Sequence, residues 1–449
     1  MGLIESRYEC SRIDVLTDDD LLKIFSYLNL REKVLFRRVC RRWAQLLKDP
    51  SIWKCIDITV LYKRLADKYL WTGESLENQQ RLKEREAAAL NFLQTYAGYS
   101  TRYINLGELV NNEILFYLRE SCPNLSCIKL TKLISKHPNI KLTLLPCNLK
   151  VICLRLVCFR EVRDRNISKK LFWVRNSSRI TPFAAEPFPY LQKLCLDGAT
   201  ISSDLCKQLI ESKELDSLKL QSCVFPTSVR KDFETLTTRL RNVKVIDLAF
   251  CRFYTKSVFD VVLRSIAANF CHLESCGLHC FQPSIHVDLD EFLNFVSPTG
   301  SLKRLHLSGL QGITPGVLNK FMKRNQNIEI LHLRFCNVVN DETLRSVVTN
   351  LLYLKELKLS GCKDITKNGF RQIANLSSLQ VLDIAEMIVA LEAILYVIRS
   401  LPCIRHVILS TNVYRVCTKV LRKELPKLLI SIARLDYQEY LEHFKNSTL

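Results

Sequence analysis

The stretch LKELKLSGC, Leu354–Cys362, places leucines at its first, fourth and sixth positions and closes on a cysteine. Its L-x-L core has the alternation of an extended strand with one apolar face. The same frame returns in LDSLKLQSC (Leu215–Cys223), VKVIDLAFC (Val243–Cys251), LKRLHLSGL (Leu302–Leu310) and IEILHLRFC (Ile328–Cys336). Looser copies begin at Thr101, Leu125, Leu149, Leu191, Leu273, Leu379 and Ile404, which makes about a dozen units. Successive starts fall 24 to 30 residues apart, save for one step of 42 from Leu149 to Leu191. A period of that length marks a stacked repeat. A single unit cannot bury its own apolar face, but an array of them can.

Each strand frame is followed by a turn and then by apolar residues at helical spacing. DETLRSVVTNLLYL (Asp341–Leu354) sets Leu344, Val347, Val348 and Leu351 on one face, with Asp341 as the expected N-cap. The fold class expected is therefore α/β: a leucine-rich-repeat solenoid over 101–425, with a curved parallel sheet on its concave side and helices on its convex side. Cys223, Cys251, Cys336 and Cys362 take the last template position, where a small buried side chain suits the turn leaving the strand. Cys276 takes an inward leucine position. The cysteine-ended template, with tails such as NVVNDETL and KDITKNGF, resembles the cysteine-containing subclass of leucine-rich repeats. That resemblance implies a fold that supplies a binding surface.

Composition narrows the function classes. The chain has 449 residues, 48% of them hydrophobic, with Lys+Arg 65 against Asp+Glu 45 and a net charge of +20. A surface of that sign favours acidic partners. The 19 cysteines include no CxxC pair, so the zinc-ribbon and thioredoxin spacings are missing. The cluster Cys271, His272, Cys276, His279 and Cys280 follows the repeat register rather than a metal-ligand spacing, and no metal or other cofactor is expected. Met1, Gly2 and Ser6 fit the short myristoylation pattern. MIVALEAILYVI (Met387–Ile398) is too short to span a bilayer and carries Glu392, so no membrane span is expected. Without a signal-like start, the expected location is the cytoplasm, the nucleus or both. GxSxG, Walker-loop and HExxH motifs are absent, and an enzyme is not expected.

The N-terminal segment differs from the repeats. VLTDDDLLKIFSYLN reads as a helix capped by Thr17 or Asp18, with acidic residues at its positive end. NLREK reads as a turn. Phe36–Leu47, placed on one helix, sets Arg37, Arg38, Arg41 and Arg42 on one arc and Phe36, Val39, Cys40, Trp43, Leu46 and Leu47 on the other. Charge and aromatics are thus segregated, unlike the interleaving of a base-stacking surface, and nucleic acid is a disfavoured partner. Pro50 ends the helix, and Ile52–Ile58 reads as a first strand.

The order LTDDDLLKIFSYLNLREKVLFRRVCRRWAQLLKDPSIWKCIDI resembles an F-box. The landmarks are Leu16, Leu21 with Leu22, Ile24 with Phe25, Leu28, Val39 with Cys40, Trp43, Asp49 with Pro50, and Trp53. Thr17 stands where the family usually has a proline that helps contact its adaptor. An F-box ahead of repeats resembles the F-box and leucine-rich-repeat proteins. The resemblance implies a non-catalytic substrate receptor. The F-box would dock on the Skp adaptor of an SCF-type ligase with its cullin and RING subunits, through Leu16, Leu21, Leu22, Ile24, Phe25, Leu28, Leu35, Val39, Cys40 and Trp43. The repeats would hold a target protein for ubiquitination. The alternative is a ligase-independent scaffold binding acidic protein or nucleic acid.

Around these parts the expected layout is a tail over 1–12, the F-box over 13–58 and a helical linker over 59–100, read as two helices around Thr72-Gly73. A basic, aromatic insertion occupies 162–190, and a capping helix covers 426–449. The strand register places His279, Arg304, His306, His332, Arg334, Glu356 and Lys358 on the concave face, with His306 and His332 as neighbours across adjacent strands. Excluding Glu356, these residues are the expected substrate-binding set, a basic patch suited to an acidic or phosphorylated segment.

Overall fold

The computed structural model describes residues 13–61, 76–131, 141–155, 160–161, 171–172, 188–278, 289–309 and 312–432. Two compact units divide the chain: Met1–Leu133 with Asn139–Ile152, and Ile134–Pro138 with Cys153–Leu449. The expectations for 1–12, for His279 and Cys280, and for most of the insertion lie outside the described residues.

In the first unit three short helices, α1 (Asp18–Ser26), α2 (Leu30–Phe36) and α3 (Arg41–Leu46), precede a 3-10 turn at Pro50–Trp53. Thr17 and Asn29 cap α1 and α2, each in a reciprocal capping box with the acid three residues on, Asp20 and Glu32. NLREK is therefore a helix start, not a turn. The single helix expected over Phe36–Leu47 is also corrected. Arg38 and Val39 donate their amides only three residues back, to Leu35 and Phe36, so α2 tightens and ends. Cys40 is extended, at φ −156°, and its Sγ accepts the Trp43 amide, starting α3 in a new direction. Trp43 then meets Phe25 edge-on at 5.1 Å and Phe36 at 5.7 Å.

Trp53 closes this unit. It is fully buried, donates Nε1–H to the Leu47 carbonyl and lies against Tyr96 at 4.3 Å and Phe92 at 5.8 Å. Those two rings belong to a helix over Leu76–Tyr96, on the C-terminal side of Thr72-Gly73 where the second linker helix was expected; the first falls within residues 62–75, outside the described set. The strand Cys55–Asp57 pairs in parallel with Tyr103–Asn105, so the first rung of the repeat ladder lies inside the segment read as F-box.

In the second unit the rungs continue in parallel, one residue opposite one. Leu305 faces Leu331, Leu331 faces Leu357, and Leu357 faces Leu382. All twelve starts read from the sequence have a strand beginning two residues later, from Tyr103 to His406. The three template leucines of each rung point inward. Leu302, Leu305 and Leu307 are at most 1% exposed, as are Leu354, Leu357 and Leu359. Cys276, in an inward leucine position, is equally buried.

The closing cysteines form a second ladder. The thiols of Cys223, Cys251, Cys336 and Cys362 donate to the carbonyls of Leu196, Leu220, Leu307 and Leu333, each on the preceding rung. Burial pushes the Cys223 thiol up to about 12 and holds Cys251 and Cys362 protonated as well. The residue before the closing position is left-handed in rung after rung: Gly198, Ser222, Phe250, Gly309, Phe335, Gly361 and Glu386. That conformation turns the chain sharply off the sheet toward its helix.

Two sequence expectations change here. The N-cap of Asp341–Asn350 is Asn340, whose side chain accepts the Thr343 amide; Asp341 instead receives the amide and hydroxyl of Thr366 from the next unit. The segment expected to be a capping helix from 426 begins differently, because Leu429–Ile432 is a further strand paired with His406–Leu409. Its Leu428-Leu429-Ile430-Ser431-Ile432 alternates well enough to add a rung, with Ile430 opposite Val407. At the start of the insertion, Arg160–Glu161, just before it, and Leu171–Phe172, inside it, pair as a short antiparallel ribbon.

Gly361 tests the turn. It sits at φ 72°, and an added Cβ would strike the Phe335 ring. Gly361→Ala is expected to cost about 2–4 kcal/mol, from the left-handed backbone and the overlap together. Urea unfolding of the full chain measures it.

Candidate functional site

Two surfaces carry the expected site residues, one on each unit. On the first, the expected adaptor residues divide into two layers. Leu21 and Phe25 are core, at 0% and 1% exposure, while Leu16, Leu22, Leu28 and Trp43 are partly buried. Ile24, Leu35, Val39 and Cys40 are exposed, and Tyr27 joins them at 83%. Helical spacing produces the split: residues 21 and 25 share the inner face of α1, and residue 24 falls outside it.

The arginines also divide. Arg38 and Arg41 are exposed. Arg42 pairs with Asp18 at 2.6 Å and donates to the Leu16 carbonyl at 2.7 Å, tying α3 to the start of α1. Arg37 lies over the Tyr96 ring at 5.3 Å. Lys33 gave no signal in the sequence. It is buried, donates Nζ–H to the Ile52 carbonyl at 2.7 Å and lies 5.5 Å from the Trp53 ring. Burial lowers its pKa.

On the second unit, the strand face opposite the inward leucines brings together Arg304, His306, His332, Arg334 and Lys358. His306 and His332 are register partners, and their rings stack at 4.0 Å and 16°. Glu356 then enters from the neighbouring rung. His332 Nε2 lies 2.8 Å from its Oε1, and Lys358 Nζ lies 2.7 Å from the same oxygen. Arg334 reaches across two rungs to Asp383, which is fully buried and also accepts the Ser360 hydroxyl and the Ala385 amide.

The expected basic patch is therefore corrected. Two of its three cations, Arg334 and Lys358, are matched by carboxylates, and Arg304 is the exposed one. Burial lowers the His332 pKa, so its ring is neutral at pH 7 and donates Nε2–H to Glu356. That hydrogen bond, with Lys358 beside it, holds the Glu356 carboxyl down at about 2. Asp383 went unnoticed because its partner lies 49 residues away in sequence. Only the rung register puts the two together: position seven of one unit faces toward position five two units later.

Two outcomes are expected. Asp383→Asn strips the buried countercharge from Arg334 and should cost about 3 kcal/mol in urea unfolding. Both His332 and Glu356 have folded-state pKa values below their ordinary ones, so their stabilisation is complete at neutral pH and lost on acidification. The His332 share goes first, below an ordinary value of about 6.5; the Glu356 share follows between about 4.3 and about 2. His332→Gln should flatten the first step, measured as urea midpoint against pH.

With this geometry in hand, the relatives can be placed. Residues 18–59 match the F-box-like family model. F-box/LRR-repeat protein 12 of Mus musculus is 25% identical over 312 residues, covering 66% of this chain and 88% of that protein. The Homo sapiens protein of that name is 30% identical over 223 residues, covering 42% of this chain and 65% of its own length. The Bos taurus protein is 29% identical over 137 residues, and the match spans 38% of its length. Among solved structures, an internalin of Listeria monocytogenes overlays at a TM-score of 0.39 and 14% identity, over 67% of this chain and 78% of the internalin. The chain thus carries an F-box-like segment followed by leucine-rich rungs, the two parts that the names of these relatives describe.

Proposed function

We propose that this protein is the substrate-recognition subunit of an SCF-type cullin–RING ubiquitin ligase, acting in the cytoplasm or nucleus. The F-box docks on the Skp adaptor, and the strand face of the repeats holds the target. Nothing in this role requires chemistry from the chain itself. Its contribution is proximity, raising the concentration of a target lysine near the charged conjugating enzyme.

The observation that carries the reading is the layering of the F-box. Its core is closed by Leu21, Phe25 and Trp53, yet Ile24, Tyr27, Leu35 and Val39 remain 43%, 83%, 48% and 59% exposed. Large apolar side chains left outside a complete core suit a protein partner. Thr17 retains the helix start through its capping box, so the absent proline removes no structure from α1. On the strand face, the target we propose is an acidic or phosphorylated segment, with Arg304 as its first charged contact. Arg304 is exposed, whereas at Arg334 a phosphate or carboxylate would have to displace Asp383.

The test uses the exposed layer and spares the core. The full chain is expected to co-elute with purified Skp adaptor. Ile24→Asp combined with Val39→Asp should abolish co-elution while the far-ultraviolet circular dichroism is unchanged. Failure of the unaltered chain to co-elute would overturn the reading in favour of a ligase-independent scaffold.

A further inference from the structure

On the same strand face, but several rungs before the histidine pair, a pair of nucleophilic side chains stands in register. Cys153 is the central residue of the strand Val151–Arg155, and Cys195 is the central residue of Lys193–Asp197. These strands are neighbours in the sheet. Two residues further along each, Arg155 Nε and Asp197 Oδ2 form an ion pair at 2.8 Å, which fixes the alignment independently of the cysteines. Cys153 and Cys195 therefore face each other across adjacent rungs on the side away from the leucine core. Neither is in a disulfide, both are only partly buried, and the Cys195 thiol is hydrogen-bonded to Cys153.

The other cysteines of the ladder contrast with them. Cys223, Cys251, Cys336 and Cys362 each give their S–H to a backbone carbonyl and are closed off from solvent. Neighbouring strands lie about 4.8 Å apart, within the range of about 4.4–6.8 Å that Cα atoms span in a disulfide. We propose that Cys153 and Cys195 are a reversible dithiol–disulfide site, oxidised by a low-molecular-weight disulfide.

The chemistry balances in two exchanges. The Cys153 thiolate attacks one sulfur of the small disulfide, forming a mixed disulfide and expelling one small thiolate. Cys195 loses its proton and attacks the Cys153 sulfur, expelling the second small thiolate. The two protons end on the two small thiols. Two protein thiols are oxidised to one S–S bond, and one small disulfide is reduced.

The hydrogen bond to Cys153, together with burial, holds the Cys195 thiol protonated well above neutrality. Its deprotonation makes the second exchange faster as pH rises. The product would join the two rungs that flank the 42-residue step from Leu149 to Leu191, closing the base of the insertion. This site does not depend on the adaptor or target reading.

The experiment treats the folded full chain with glutathione disulfide, blocks remaining thiols with iodoacetamide and maps the peptides by mass spectrometry. The expected product is a peptide pair joined through Cys153 and Cys195, two hydrogens lighter than the separate peptides, and dithiothreitol reverses it. Cys153→Ser and Cys195→Ser, each checked for fold by circular dichroism, should each remove that linked pair. As a second measure, phenylarsine oxide, which bridges two adjacent thiols, should protect both cysteines from iodoacetamide together, and neither in the single variants. The proposal is overturned if the exposed Cys403 is glutathionylated while Cys153 and Cys195 stay unlinked, or if either one joins a different cysteine.

Discussion

Inward leucines stacked rung on rung are the interaction on which the molecule depends. A frame of L-x-x-L-x-L offers three apolar side chains on one side of a strand and nothing to cover them. Cover comes only from the rungs before and after, so the parallel register must be held over the whole array. Three devices hold it: the backbone ladder, the thiol-to-carbonyl bonds of four closing cysteines, and the left-handed residue that follows seven of the strands at the same template position. A slip by one residue would turn each leucine set outward, and it would break the second and third devices at once.

Register also makes the strand face into an organised surface. Side chains at positions three, five and seven of every unit stand in columns, so chemistry can be assembled from residues far apart in sequence. His306 stacks on His332, His332 donates to Glu356, and Arg334 bridges to Asp383. The result is less basic than a count of its cations, because a low-dielectric setting favours matched charges over isolated ones. Arg304 is left as the exposed cation beside the stacked histidine rings. The net charge of +20 describes the chain as a whole and does not describe this face.

In the F-box the ordering principle is capping rather than stacking. Helices of six to nine residues are too short to stand alone. Thr17, Asn29 and Cys40 each satisfy an orphan amide at a helix start, and Arg42 ties the third helix back to the first. Breaking the arginine-bearing segment at Cys40 is what allows Trp43 to reach Phe25. A continuous helix would hold every residue of that segment to one axis.

The sequence by itself determined the period, the inward residues, all twelve rung starts, the role of the closing cysteines and the histidine pair. These are short-range properties: a template nine residues long carries both the alternation and the turn. It also determined which residues mark the F-box, because that segment keeps its landmarks in order. Only the tertiary structure decided which landmarks are core and which are surface, where the arginine segment breaks, and that Leu429–Ile432 adds a strand. It alone decided that Asp383 neutralises Arg334 and that Cys153 meets Cys195. The added strand and these two pairs depend on contacts across one or more full repeats, and the distance in sequence between such partners is set by the length of the intervening helices and loops. A strand template does not encode that length.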